Sequence, residues 1–132
     1  MSGKTSGLFC AIAIFTDETG NPLNMKGLTA IVSDQDVLLD DYLGKAKVDR
    51  EGRATFLISV ADIKSIDSPG ERDPDLYFTL YRDGEAVFRS QVSENVDFES
   101  LHKVSGDPVG ITREFGPFQV KESLLYSGRN RL

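Results

Sequence analysis

The chain contains no tryptophan, one cysteine and one histidine in 132 residues. The missing tryptophan removes the stacking side chain that suits a carbohydrate platform, so a sugar-binding face is disfavoured. Cys10 alone cannot form an internal disulfide, and no zinc site of paired thiolates can be built around it. Its place in an apolar run reads as that of a small buried hydrophobe. With His102 as the only imidazole, every mechanism that needs two histidines is excluded. Basic residues are also short: 15 Lys and Arg stand against 21 Asp and Glu, a net charge of −6. That balance offers no basic face for phosphates, so neither nucleic acid nor an anionic membrane is an expected partner. The apolar run Leu8 to Phe15 is too short to cross a bilayer, and no transmembrane segment is expected. Lys4 before it imitates an export signal, yet no small-x-small cleavage site follows and Thr16-Asp17-Glu18 ends the run. The expected location is cytoplasmic, or secreted by a route without an N-terminal signal peptide.

What remains is an ordinary globular mixture, 39% hydrophobic and 27% charged, of the length of one domain. Short apolar runs separated by Gly, Asp, Asn and Pro clusters predict an all-β sandwich. The first strand is Leu8 to Thr16, ended by the turn string Asp17-Glu18-Thr19-Gly20-Asn21-Pro22. Leu28 to Ser33 follows and enters an acidic loop, residues 34–44. Lys45 to Val48 reads as a third strand, joined by a tight hairpin at Asp49-Arg50-Glu51-Gly52-Arg53 to Ala54–Val60, where Phe56 and Ile58 share a face. Ala61 to Ile66 is long enough for one helical turn. In Asp75–Arg82, Leu76, Phe78 and Leu80 alternate with Tyr77, Thr79 and Tyr81, and Asp83-Gly84 turns that strand into Ala86–Val92. Ile111 to Val120 supplies one or two strands around Gly116-Pro117. Residues 1–7 are expected to be a flexible N-terminus, 8–121 the sandwich and 122–132 a tail.

Three stretches carry a resemblance. Phe15-Thr16-Asp17-Glu18-Thr19-Gly20-Asn21-Pro22-Leu23 resembles the opening turn of transthyretin-like and carboxypeptidase-regulatory-like β-sandwich domains. Asp40 to Phe56, with Leu43-Gly44 and then Asp49-Arg50-Glu51-Gly52-Arg53-Ala54-Thr55-Phe56, is similar to their leucine-glycine, aspartate-x-x-glycine-arginine-phenylalanine hairpin, with the phenylalanine two positions later than usual. Pro74-Asp75-Leu76-Tyr77-Phe78 looks like a strand of the bacterial members. The resemblance implies a transthyretin-like sandwich of seven or eight strands with at most one short helix. It also implies a role as adaptor, since bacterial domains of this kind are attached to secreted enzymes and to the spikes of toxin-delivery machines.

The resemblance raises two enzymes as well, and the composition answers both. The hydroxyisourate hydrolase needs two histidines and a tyrosine-arginine-glycine-serine tail, whereas this chain has His102 alone and reads Tyr126-Ser127-Gly128-Arg129. Intradiol dioxygenases ligate iron with two tyrosines and two histidines and fail on the same count. A hydrolase pairing His102 with Ser100 or Ser105 stays open as a second alternative, although neither serine lies in a glycine elbow. No two of Asp62, Glu85 and Asp97 stand out as a glycosidase pair. The expectation is therefore no enzyme.

Two candidate sites remain. Asp34, Asp36, Asp40 and Asp41 place four carboxylates in eight residues, the hard oxygen donors that calcium takes. This segment also resembles the third loop of calcium-dependent lipid-binding sandwiches of the protein-kinase-C type, although there the proline-tyrosine strand precedes the acidic loop and here it follows. The alternatives are a calcium-dependent ligand- or membrane-binding domain and a merely solvated loop; otherwise no cofactor is expected. Tyr77, Thr79 and Tyr81, on the face opposite the core, are the candidate contact residues for a protein partner. An unprotected edge strand would also allow oligomers.

Overall fold

The computed structural model describes residues 8–35, 39–59, 74–94, 96 and 111–126. Among these, seven strands and one helical turn follow in order: β1 (Leu8–Thr16), β2 (Leu28–Asp34), β3 (Asp41–Lys47), β4 (Arg53–Ser59), β5 (Leu76–Arg82), β6 (Glu85–Arg89), β7 (Ile111–Gln119) and α1 (Glu122–Tyr126). They form a β-sandwich, with one sheet ordered β4-β1-β7 and the other β3-β2-β5-β6. All pairings are antiparallel except that of β1 with β7.

The two-residue period of a strand sends alternate side chains to opposite faces. Phe9, Ala11, Ala13 and Phe15 of β1, with Ala54, Phe56 and Ile58 of β4, therefore turn inward together. They meet Leu28, Ala30 and Val32 of β2 and Leu76, Phe78 and Leu80 of β5, all buried. Small residues in the central strands leave room for rings from their neighbours. Phe78 fills that room: its ring lies 5.8 Å from Phe56, 5.2 Å from Phe115 and 5.8 Å from Phe118, so one residue of the four-stranded sheet touches two strands of the other. Beyond β7, Val120 and Leu125 of α1 also join the core.

The turns follow their sequences. Asp17 accepts the backbone N–H groups of Thr19 and Asn21 at 2.9 and 3.0 Å, and Gly20, which closes the turn, takes φ of 92°. Asp83 and Gly84 both adopt positive φ, 49° and 88°, the geometry that closes a two-residue hairpin.

Three expectations need correction. The turn at Asp49–Arg53 is tight, with Gly52 N–H donating to Asp49 O at 3.0 Å, but it is no hairpin. It passes the chain from β3 in one sheet to β4 in the other, and Gly52 sits buried against the carbonyl of Phe15. The third strand begins at Asp41 rather than Lys45, because Tyr42 and Asp41 continue the ladder with Ser33 and Asp34 after a bulge. Cys10 points to the outer face of its sheet and is only half-buried. The helical turn expected at Ala61–Ile66 lies outside the described residues.

Candidate binding face

Counting outward from the core positions, the outer face of the four-stranded sheet receives Tyr42, Lys45 and Lys47 from β3, Thr29, Ile31 and Ser33 from β2, Tyr77, Thr79 and Tyr81 from β5, and Ala86 and Arg89 from β6. The three residues of β5 named from the sequence do share this face. Thr79 and Tyr81 are half-buried there, and Tyr42 at the sheet edge is 62% exposed. Thr29, Ile31, Lys45, Tyr81 and Gly84 line an open depression of about 340 Å³.

Tyr77 departs from the expectation of an exposed contact residue, being only 7% exposed. Neighbours distant in sequence cover it. Its hydroxyl donates to Asp40 Oδ2 at 2.6 Å, and the Arg89 guanidinium lies 4.0 Å from the ring centroid. Arg89 also stands 3.7 Å from the same carboxylate oxygen, and the Ser33 side chain hydrogen-bonds the phenol from the adjacent strand. Burial first, and then the Asp40 carboxylate that holds its proton, push the Tyr77 hydroxyl above its ordinary value of 10.0. The bonded phenol ties β5 to the segment before β3.

Three of the four aspartates named from the sequence are described. Asp34 is the last residue of β2 rather than the first of the loop; it is 3% exposed and accepts the Asp75 backbone N–H at 3.0 Å. Asp40 faces Tyr77 and Arg89, while Asp41 has entered β3. Asp36 lies outside the described residues, as do His102, Ser100, Ser105, Asp62 and Asp97. Among the described residues no three Asp, Glu, His or Cys side chains form a group that could hold a metal ion.

Ser33, Lys45, Lys47 and Arg89 were missed by sequence reasoning. The lysines already fall at alternate positions of the strand read at Lys45–Val48, but nothing in the sequence set them beside Tyr81. Arg89 was not, because a bulge between Leu80 and Tyr81 shifts the β5–β6 register. An unbroken two-residue hairpin would set Phe88 beside Thr79 on the outer face. The extra residue turns Phe88 inward, 6.2 Å from Phe15, and puts Arg89 beside Thr79.

The opposite sheet presents a different surface. Ile12 and Ile14 of β1 are half-buried on its outer face, and Arg53 of β4 reaches Glu114 of β7 at 3.1 Å across the intervening strand. Leu57 is 69% exposed there. No helix among the described residues is long and apolar enough to cross a membrane.

No family model matches the sequence, and no curated protein matches it. Among solved structures, a 9R-lipoxygenase from Cyanothece PCC8801 aligns over 91% of this chain at 21% identity and a TM-score of 0.49. A 3-chlorocatechol 1,2-dioxygenase from Rhodococcus opacus 1CP aligns over 92% at 17% identity and a TM-score of 0.37. This chain spans 17% of the length of the first and 60% of the second. Both are oxygenases by name, and at these levels of similarity neither chemistry carries over to this chain.

Proposed function

We propose that this chain is a non-catalytic protein-interaction module and that the outer face of its four-stranded sheet is the contact surface. The observation that carries the reading is the depression bordered by Tyr81, Ile31 and Lys45. It sets a tyrosine, a residue type enriched where proteins meet, beside Ile31 in a concave part of a rigid sheet. The ionisable residues of the same face support this reading, since Tyr77, Asp40 and Arg89 are engaged with one another. The adaptor role in bacterial secretion or toxin delivery belongs to the same proposal and rests on the resemblance to transthyretin-like domains.

The test is site-specific photocrosslinking in the native cell, with a benzophenone side chain at Tyr81 and, as control, at Thr55 on the other sheet. The expected result is a discrete protein adduct from Tyr81 that disappears with Ile31→Asp and is absent from Thr55. An adduct pattern identical at both positions, or none from Tyr81, refutes the assignment of the face.

A further inference from the structure

The chain carries a net charge of −6, yet the charged side chains that the strands send to the outer face of the four-stranded sheet are Lys45, Lys47 and Arg89. Arg89 is engaged with Asp40 and the Tyr77 ring, whereas Lys45 and Lys47 are exposed on β3. Among the described residues β3 pairs with β2 on one side only.

The backbone of β3 adds a second observation. In an antiparallel pair, alternate residues turn their N–H and C=O groups toward the partner strand. Val48 N–H donates to Leu28 O at 3.1 Å, which fixes the phase. Val48, Ala46 and Gly44 therefore face β2, and the N–H and C=O groups of Lys45 and Lys47 face away from it. The next backbone group of that phase, Asp49 N–H, bonds to Arg53 O at 2.8 Å on the far side, as the phase requires.

The two residues with outward-facing backbone groups are thus the two that project an ammonium onto the outer face. An extended segment adding to this edge would set two of its side chains, at positions i and i+2, directly beside Lys45 and Lys47. Both pairs of side chains repeat at about 6.8 Å, the two-residue advance of a strand. We infer that β3 is a docking edge for an extended acidic peptide of a protein partner, carrying carboxylates at alternate positions. Main-chain hydrogen bonds would give affinity, and the lysines would select acid-x-acid over neutral sequences. This rests on the interaction-module reading and names the chemistry of its partner.

The probe is a fluorescein-labelled peptide alternating glutamate with threonine, compared with its glutamine counterpart on the full chain. The expected result is binding of the glutamate peptide at least about tenfold tighter than the glutamine peptide, weakening as salt is added. Bound peptide slows hydrogen exchange at the Lys45 and Lys47 amides, and Lys45→Glu/Lys47→Glu abolishes binding while leaving the unfolding midpoint unchanged. Failure of the glutamate peptide to bind, equal binding of the two peptides, or binding without protection of those amides overturns the inference and leaves the lysines as blocks against self-association. The Tyr81 crosslink separates the two readings. Its loss in Lys47→Glu alone, a residue outside the lining of the depression, supports the edge as the partner's route; its survival in the double lysine variant overturns the edge while the module reading stands.

Discussion

Replacing Tyr77 by phenylalanine deletes one O–H and keeps the ring, so it isolates the tie to Asp40 from the packing around it. A hydrogen bond to a charged acceptor contributes about 1.5–3 kcal/mol. The Asp40 side chain is 34% exposed and keeps Arg89 at 3.7 Å, so water and the guanidinium compensate part of the loss. The expected destabilisation is about 1–2 kcal/mol, or roughly 3–10 °C in Tm for a domain of this size. The pH dependence gives a second, independent number. In the unfolded chain the phenol titrates near its ordinary 10.0, and in the native chain above it. A proton is therefore held more tightly by the folded state, and the contribution is fully present below pH 10 and lost as the pH rises through the native value. Thermal unfolding of both proteins from about pH 8 to about pH 11 reads this directly, since the two differ only in the hydroxyl of residue 77. The gap between wild type and Tyr77→Phe narrows across the upper part of that range. A gap that is absent at pH 8, or that widens with pH, refutes the account of Tyr77 as a protonated tie.

Gly52→Ala places a Cβ against the Phe15 carbonyl oxygen and 3.0 Å from Leu23 N, at φ of 75°. Urea unfolding should show a loss of about 2–4 kcal/mol, against about 1 kcal/mol for Gly20→Ala, whose φ is 92° but whose Cβ meets nothing within 4 Å. Equal losses at the two glycines would mean that backbone angle alone, not the close approach, limits Gly52. The Thr19 hydroxyl, and after it the backbone N–H groups of Asn21, Thr19 and Gly20, hold the Asp17 carboxyl below its usual 3.8. Its contribution is present above pH 3.8 and fades as the pH falls through the lower native value. Asp17→Ala should therefore show a flatter acid limb in unfolding midpoints, and an unchanged limb would count against this turn as a source of acid sensitivity.

Local chemistry made much of the fold readable before any coordinates. Leu76, Phe78 and Leu80 alternate with Tyr77, Thr79 and Tyr81 without interruption, and Asp83-Gly84 is a turn whose backbone angles follow from two residues. The Asp17–Pro22 string ends β1 for equally local reasons. What escaped is what depends on distant partners. Nothing near Asp49–Arg53 tells whether the strands it joins will pair or part, because the same two turn hydrogen bonds serve a hairpin and a passage between sheets. Tyr77 is buried by Asp40 and Arg89, which approach from opposite flanks of the sheet. Asp34 looks like one member of an acidic loop until β2 is seen to run one residue further and hand its carboxylate to the start of β5. The bulge that turns Arg89 outward leaves no mark in the sequence, since Val87 and Phe88 are both acceptable inward residues.

The parallel pairing of Phe9 with Ile111 has a consequence for how the chain is made. Among the described strands β1 is made first and is the central strand of its sheet, yet one of its two neighbours is translated roughly a hundred residues later. At about 5–20 residues per second that leaves one side of β1 open for about 5–20 s. Throughout that interval Cys10, Ile12 and Ile14 edge an unfinished sheet whose lateral hydrogen bonds any other extended strand can take. The Arg53–Glu114 ion pair spans β1 only after β7 arrives, so it marks completion of the sheet and cannot guide its assembly. Nascent chains halted before Ile111 are thus the species most exposed to mispairing with one another.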